Sequence, residues 1–126
     1  MHTRNIIEQI RDTCLAPARS CEQNWEMDFH LSPSFCGFDG HFPGNPILPA
    51  VAQVMIAREA INTRTASNWS IVKMSRAKFQ NMIPPGIVIT VHWKETAQEN
   101  ELHCKCMLKV NESVASSFNL VLRRMD

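Results

Sequence analysis

His41 is the residue of this sequence whose type and position best suit acid–base chemistry. Histidine has an unperturbed pKa close to neutrality, so it can take up and return a proton under physiological conditions. It lies in the segment GHFPGNPILPAVAQ, residues 40–53, whose prolines stiffen the backbone. The segment leads into a predicted helix, where amides near Ala50 and Val51 can stabilise an oxygen that gains negative charge. The alternative is a histidine that only hydrogen-bonds its own loop.

A second group of candidate ligands lies near the C-terminus, where His103, Cys104 and Cys106 follow one another closely. Successive side chains of a strand point to opposite faces, so the histidine and the two thiols cannot converge on one ion. We therefore expect no metal and interpret both cysteines as core residues.

The bulk properties of the 126 residues predict one domain over 1–126. Hydrophobic residues make up 44% and charged residues 20%, with a net charge of +1, which gives no basic footprint for nucleic acid. No signal-peptide core or apolar stretch of about 20 residues is present, so we expect a cytoplasmic location and no membrane insertion. The five cysteines, an odd number, are expected to be reduced.

Hydrophobic periodicity predicts a helical N-terminal segment over 1–20, with isoleucines at helical spacing in 4–14, and a long central helix over 49–64 with Pro49 in its first turn. Alternation and turn residues predict strands over 25–31, 69–80, 87–96, 101–110 and 113–123. The order of elements favours an α+β fold, with an antiparallel sheet of about five or six strands wrapped around the helix. Because an edge strand and a helix flank stay uncovered, we expect at least a dimer with paired edge strands.

Two segments resemble one family. GHFPGNPILPAV, residues 40–51, resembles the G-H-F-P-x-x-P-x-x-P-G-V motif of 3-hydroxyacyl-ACP dehydratases, including those of aryl-polyene biosynthesis, and KFQNMIPPG, residues 78–86, resembles the family's K/R-F-x-x-x-I-x-P-G segment. The resemblance implies a hot-dog fold and dehydration of a 3-hydroxyacyl group held as an ACP or CoA thioester, without a cofactor. It also implies an acyl carrier protein as partner and a homodimer or higher homo-oligomer, with a heterodimer as an alternative.

The resemblance also implies roles for individual residues. His41 would be the catalytic base, while Gly44, Ala50 and Val51 would bind or position the thioester oxygen. The residues expected to line the acyl pocket are Phe42, Pro46, Pro49, Gln53, Met55 and Phe79.

One position departs from the family pattern. The acid expected fourteen residues after the histidine is Met55, whose thioether cannot transfer a proton. Glu59, one helical turn further on, could replace it, or could be an exposed carboxylate paired with Arg58 or a lysine. In other repairs His41 acts alone with water or Gln53, or a related subunit supplies the carboxylate in a mixed dimer.

Two other functions stay open. A catalytically impaired subunit could bind acyl carrier protein or pair with an active paralogue, and the same fold could hydrolyse thioesters. Arg76 and Lys78 could meet an acidic carrier protein or a phosphate, or form an ordinary solvated strand face.

Overall fold

The computed structural model of the chain describes residues 5–35, 38 and 47–125. Its elements are α1 (Ile6–Thr13), β1 (Arg19–Cys21), β2 (Asn24–Leu31), α2 (Ala50–Thr65), β3 (Trp69–Phe79), β4 (Ile87–Gln98), β5 (Glu101–Val110) and β6 (Ser113–Arg124). The six strands form one sheet in the order β1-β2-β4-β5-β6-β3, in which all neighbours are antiparallel. The predicted α+β layout is confirmed.

Helix α1 is short because its capping signals are close together. The Asn5 side chain accepts a hydrogen bond from the Glu8 amide at 2.9 Å, which caps the first turn. Ile10 is fully buried and anchors the helix to the core. The prediction of a helical segment over 1–20 is wrong beyond Thr13, since Arg19–Cys21 form strand β1.

The missed strand β1 pairs with β2 through a two-residue hairpin turn. Glu22 and Gln23, the two turn residues, both have positive φ, of 49° and 68°. Hairpins of this type usually carry Asn-Gly or Asp-Gly, so Glu-Gln gave no turn signal in the sequence.

Helix α2 begins at Ala50 and ends at Thr65, so Pro49 is the residue before the first turn and not part of it as predicted. The helix packs against β3, β4 and β5, and Ala52, Ile56 and Ala60 are buried on that side. Val51 remains 66% exposed, so one flank of α2 is left without cover.

The inner face of the sheet carries the side chains that the helix covers. Leu102, Cys104, Cys106 and Leu108 of β5 are buried there, as their alternation predicted. Trp93 of β4 is opposite Cys106 in the register and is fully buried. Each such side chain contributes about 1.5–3 kcal/mol by leaving water, so this layer is the main source of stability.

Strand β3 forms one edge of the sheet and is irregular in two places, between Ile71 and Lys73 and between Ser75 and Lys78. At the second irregularity Arg76 has φ of 52°, a left-handed conformation that is uncommon outside glycine. The alternation assumed for Arg76 and Lys78 is therefore interrupted, and the prediction that they share a regular strand face is wrong.

No helix within residues 5–35, 38 and 47–125 is long and apolar enough to span a membrane.

Candidate functional site

The predicted base and several pocket residues, His41, Phe42, Gly44 and Pro46, lie outside the described residues, so their roles stay predictions. The structure describes the residues that follow this segment and the second motif, to which they are bonded. These are residues 47–49, the first turns of α2, and the segment between β3 and β4.

Leu48, near the end of the proline-rich segment, is fixed by hydrogen bonds at both its backbone groups. Its amide donates to the Ile83 carbonyl at 2.8 Å, and its carbonyl accepts from Gln53 Nε2 at 3.0 Å. Leu48 and Ile83 are both buried. We call this arrangement of Leu48, Gln53 and Ile83 the entry clamp; it connects the two motifs of the sequence and fixes where the chain enters α2.

The second motif is in turn attached to β6. The amides of Gln80 and Asn81 donate to the Ala115 carbonyl at 2.9 and 3.1 Å, and Asn81 Nδ2 donates to the Val114 carbonyl at 2.8 Å. Gly86 closes the segment with φ of 83°, a conformation that favours glycine. The entry clamp is therefore supported by the sheet.

The first turn of α2 presents free backbone donors. Neither the Ala50 nor the Val51 amide has a hydrogen-bond acceptor in the described part of the chain, and no side chain caps this end. Pro49, the capping residue, has an extended backbone and is half-buried. Such a helix start can bind a negatively charged oxygen, which is the property required of the predicted oxyanion donors.

Met55 lies on the flank of α2 that the sheet does not cover. It is half-buried and packs against the edge of the core, as does Val54. Arg58, one turn further along the same flank, is also half-buried, and its Nε is shielded from solvent without a hydrogen-bond partner. The flank that should carry the family acid therefore carries a thioether and an unpaired guanidinium nitrogen.

Glu59 has a different environment from the one expected for an exposed carboxylate, because it is only 1% exposed. Its Oε1 accepts from Arg11 Nε at 3.0 Å, and its Oε2 accepts from Asn62 Nδ2 at 3.3 Å. The alternative of an exposed carboxylate is wrong. The contact of Arg11 with Glu59 was not recognised from the sequence, because it joins α1 to α2 over 48 positions. The contact of Asn62, which lies on the same helix as Glu59, was overlooked.

Gln53 is only 4% exposed, yet its Oε1 has no hydrogen-bond partner although its Nε2 is used in the entry clamp. Ser116 on β6 is also buried with an unpaired hydroxyl. Buried acceptors without partners cost free energy, so they are uncommon outside sites that bind something.

Phe79, predicted as a pocket residue, lies at the last position of β3 and stacks on Phe118 with ring centroids 6.1 Å apart. Phe118 is buried, whereas Phe79 is 41% exposed. The ring thus extends the apolar inner face to the edge of the sheet.

The thiols of β5 are shielded and poorly acidic. Burial raises the pKa of Cys104 to about 12, with Glu95 adding to the shift, and burial also raises the pKa of Cys106. His103 points away from them and lies 3.3 Å from Glu101, measured from Nε2 to Oε1. Among the described residues no three potential ligands are close enough to bind a metal.

His92 is half-buried on the outer face of the sheet, with Nδ1 3.2 Å from Glu26 Oε2. This hydrogen bond is the main reason why the pKa of Glu26 is lowered.

A curved antiparallel sheet wrapped around one long helix is the hot-dog fold. The ApeI-like family model, described as ApeI dehydratase, matches residues 18–118. The chain belongs to this ApeI-like dehydratase family.

Bacterial relatives agree with this family. The chain is 35% identical over 94 residues to the 3-hydroxyacyl-acyl-carrier-protein dehydratase FabZ of Lactobacillus helveticus, and 33% identical over 94 residues to that of Levilactobacillus brevis. Each match covers 66% of this chain but 62% of the relative, so the chain spans less than two thirds of these proteins.

Solved structures confirm the fold. One chain of the dehydratase heterocomplex ApeI:P from Xenorhabdus doucetiae superposes with a TM-score of 0.71 at 25% identity, covering 88% of this chain and 96% of that one. A mutant of the fluoroacetyl-CoA-specific thioesterase FlK gives a TM-score of 0.68 at 13% identity, covering 88% of each chain. The second likeness is one of fold alone.

Proposed function

We propose that this protein is a hydro-lyase subunit that removes water from a 3-hydroxyacyl group held as an ACP or CoA thioester. His41 takes the proton from the α-carbon and returns it to the hydroxyl that leaves from the β-carbon, so that water departs and a 2-enoyl thioester remains. The thioester oxygen, which gains negative charge as the α-proton leaves, is stabilised by the Ala50 and Val51 amides, with Gly44 assisting its positioning.

The observation that carries this proposal is the open start of α2, held in place by the entry clamp within a chain of the ApeI-like dehydratase family. The clamp fixes Leu48 just before the helix, so the point at which the histidine-bearing segment joins α2 is held in place. Phe42, Pro46, Pro49, Gln53, Met55 and Phe79 are proposed to border the acyl chain.

The test is the hydration of a 2-enoyl-ACP or 2-enoyl-CoA thioester, together with dehydration of the 3-hydroxyacyl form. His41→Ala should lower kcat/KM by at least about 10²-fold. His103→Ala is the matched control, because His103 lies on the outer face of the sheet beside Glu101. Equal rates for wild type and His41→Ala would reject the catalytic role, and release of free thiol would indicate hydrolysis instead.

A second candidate function is that of a subunit whose site is completed by a related chain. It is favoured by Met55, which occupies the position of the family acid and is only half-buried at the edge of the core. The similar chain from Xenorhabdus doucetiae is part of a heterocomplex, which is consistent with this arrangement. In that case an acid from the partner faces His41, while Glu59 stays a structural carboxylate bound by Arg11.

We propose that the assembly is at least a dimer, built as a homo-oligomer or as a mixed dimer, and that acyl carrier protein delivers the substrate. The cytoplasm is the location we propose for it.

A further inference from the structure

The outer face of the sheet carries a groove that takes no part in the site described above. Its volume is about 430 Å³, and it is lined by Lys73 of β3, Lys94 of β4, Lys105 of β5 and Asn119 of β6. We call it the lysine groove. Sites for small molecules have volumes of about 300–1,000 Å³, so the lysine groove is large enough to hold one.

Strand pairing places two of these lysines side by side. Lys94 is directly opposite Lys105 in the register of β4 and β5, and Lys105 is in turn opposite Asn119. The residues next to them in sequence, such as Trp93 and Cys106, are buried on the side of α2. Because side chains alternate along a strand, both lysines point away from the helix, and both are exposed.

Lys73 reaches the same face because β3 is irregular just before it. Ile71 pairs with the buried Leu122, so residue 73 of a regular strand would also point toward α2. The register shift between Ile71 and Lys73 instead pairs Lys73 with Val121, which is on the outer face. Bulges that redirect a side chain are frequent next to functional sites. The irregularity therefore adds a third cation to the lysine groove.

The positive charge of the lysine groove is not compensated within the chain. None of its three lysines forms an ion pair with another residue in the described part of the chain, and no described Asp or Glu lines it. The acids on the same strands bind elsewhere, since Glu95 binds Arg64 and Glu101 binds Arg123. Like charges directly opposite each other destabilise a sheet, and a bound anion removes that repulsion.

We infer that the lysine groove is a second ligand site, which binds a small molecule carrying a phosphate or diphosphate group. Lysine ammonium groups are point charges suited to phosphate oxygens, and the Asn119 side chain has an amide that can donate. A concave site favours a small anion over the broad acidic surface of a protein. The site faces away from α2, so its ligand is not the acyl group of the proposed reaction.

Isothermal titration calorimetry with inorganic pyrophosphate tests this inference. We expect saturable binding to the wild-type chain in about 0.05 M salt and weaker binding in about 0.5 M salt, because salt screens exposed charges. Lys94→Gln combined with Lys105→Gln should lower the affinity at least about tenfold, since it removes two of the three cations. The matched control, Lys78→Gln combined with Lys109→Gln, removes two charges of β3 and β5 outside the groove and should change the affinity less than about threefold.

Four outcomes would overturn the inference. The first is no saturable binding up to about 10 mM pyrophosphate, and the second is an equal loss of affinity in the control pair. The third is tighter binding of a polyglutamate peptide than of pyrophosphate, which would assign the groove to an acidic protein. The fourth is cosedimentation with phosphatidic acid vesicles in the absence of pyrophosphate binding, which would assign it to a membrane surface. Circular dichroism checks the folding of each variant. Because the probe contains no thioester, a failure here differs from a failure of the enoyl-thioester assay.

Discussion

The two halves of α2 differ in how completely one chain satisfies their polar groups. In the C-terminal half Glu59 is bound by Arg11 and Asn62, and Arg64 binds Glu95 of β4. In the N-terminal half the Ala50 and Val51 amides have no acceptor among residues 5–35, 38 and 47–125, Gln53 Oε1 is unpaired, and Val51 is exposed. The polar groups of the C-terminal half are therefore paired within the chain, whereas the N-terminal half is where we propose that a ligand or a partner binds.

The C-terminal half of α2 is connected to the sheet through Glu95, and Cys104 lies opposite Glu95 in the register. A thiol with a pKa of about 12 instead of 9.0 carries about 10³-fold less thiolate near pH 8 than an ordinary thiol. We expect alkylation of the buried Cys104 by iodoacetamide, followed by peptide mass spectrometry, to be much slower than that of the half-buried Cys14.

The same shift predicts how stability depends on pH. Because the folded-state pKa of Cys104 is raised, its contribution is complete below pH 9 and is lost as the pH rises from 9 toward 12. Cys104→Ser should remove part of that alkaline loss. If Cys104 in the folded protein were alkylated as fast as Cys14, the sheet around Cys104 would open readily.

The proposed role of the N-terminal half of α2 can be tested by placing an acid at position 55. Met55→Glu places a carboxyl group on the uncovered flank, where a proton donor is absent among the described side chains. Under salt conditions that allow the chain to self-associate, we expect kcat/KM for enoyl-thioester hydration to rise by about 10²-fold. Met55→Gln, similar in size but without a proton to transfer, is the matched control. An equal rate for both variants would mean that another residue already does this work.

A substitution of Glu59 tests the C-terminal half of α2. Glu59→Gln keeps the shape but weakens the charged hydrogen bonds to Arg11 and Asn62, so the free energy of unfolding should fall by about 1.5–3 kcal/mol. Turnover per folded molecule should change less than about twofold, since the carboxylate is engaged in structure. Chemical denaturation and kinetics are measured on the same preparations.

The matched control for this change is Glu101→Gln, which alters an exposed carboxylate paired with Arg123. Its denaturation midpoint should stay close to that of wild type. If Glu59→Gln instead abolished turnover and left stability unchanged, Glu59 would be the acid that replaces Met55.

The sequence predicted the elements whose patterns are local. Alternation placed Cys104 and Cys106 in the core, and the long apolar run placed α2 to within one residue at its start. Strand β1 was missed because its turn uses Glu22 and Gln23 without glycine or asparagine. Local patterns thus determined most of the fold.

The site was harder to predict because its contacts are distant in the chain. The bond from Leu48 to Ile83 and the pair of Arg11 with Glu59 leave no periodic signal, since each depends on how two elements dock. The bulge at Arg76 likewise arises from pairing with β6 and not from a local motif. The catalytic segment itself could be proposed only from its proline-rich motif.

The smallest expected effect concerns Gln53 of the N-terminal half, whose Nε2 is hydrogen-bonded and whose Oε1 is not. Gln53→Leu removes the bond to the Leu48 carbonyl but also removes a buried unpaired acceptor, so stability should change by no more than about 1 kcal/mol. Because the entry clamp loosens, kcat/KM should fall by about three- to tenfold. Gln53→Glu, which restores length and one acceptor but no amide donor, should lower activity at least as far. Unchanged kinetics in both variants would show that the hydrogen bond from Leu48 to Ile83 is sufficient to position Leu48. It would also show that Gln53 Oε1 does not bind the substrate.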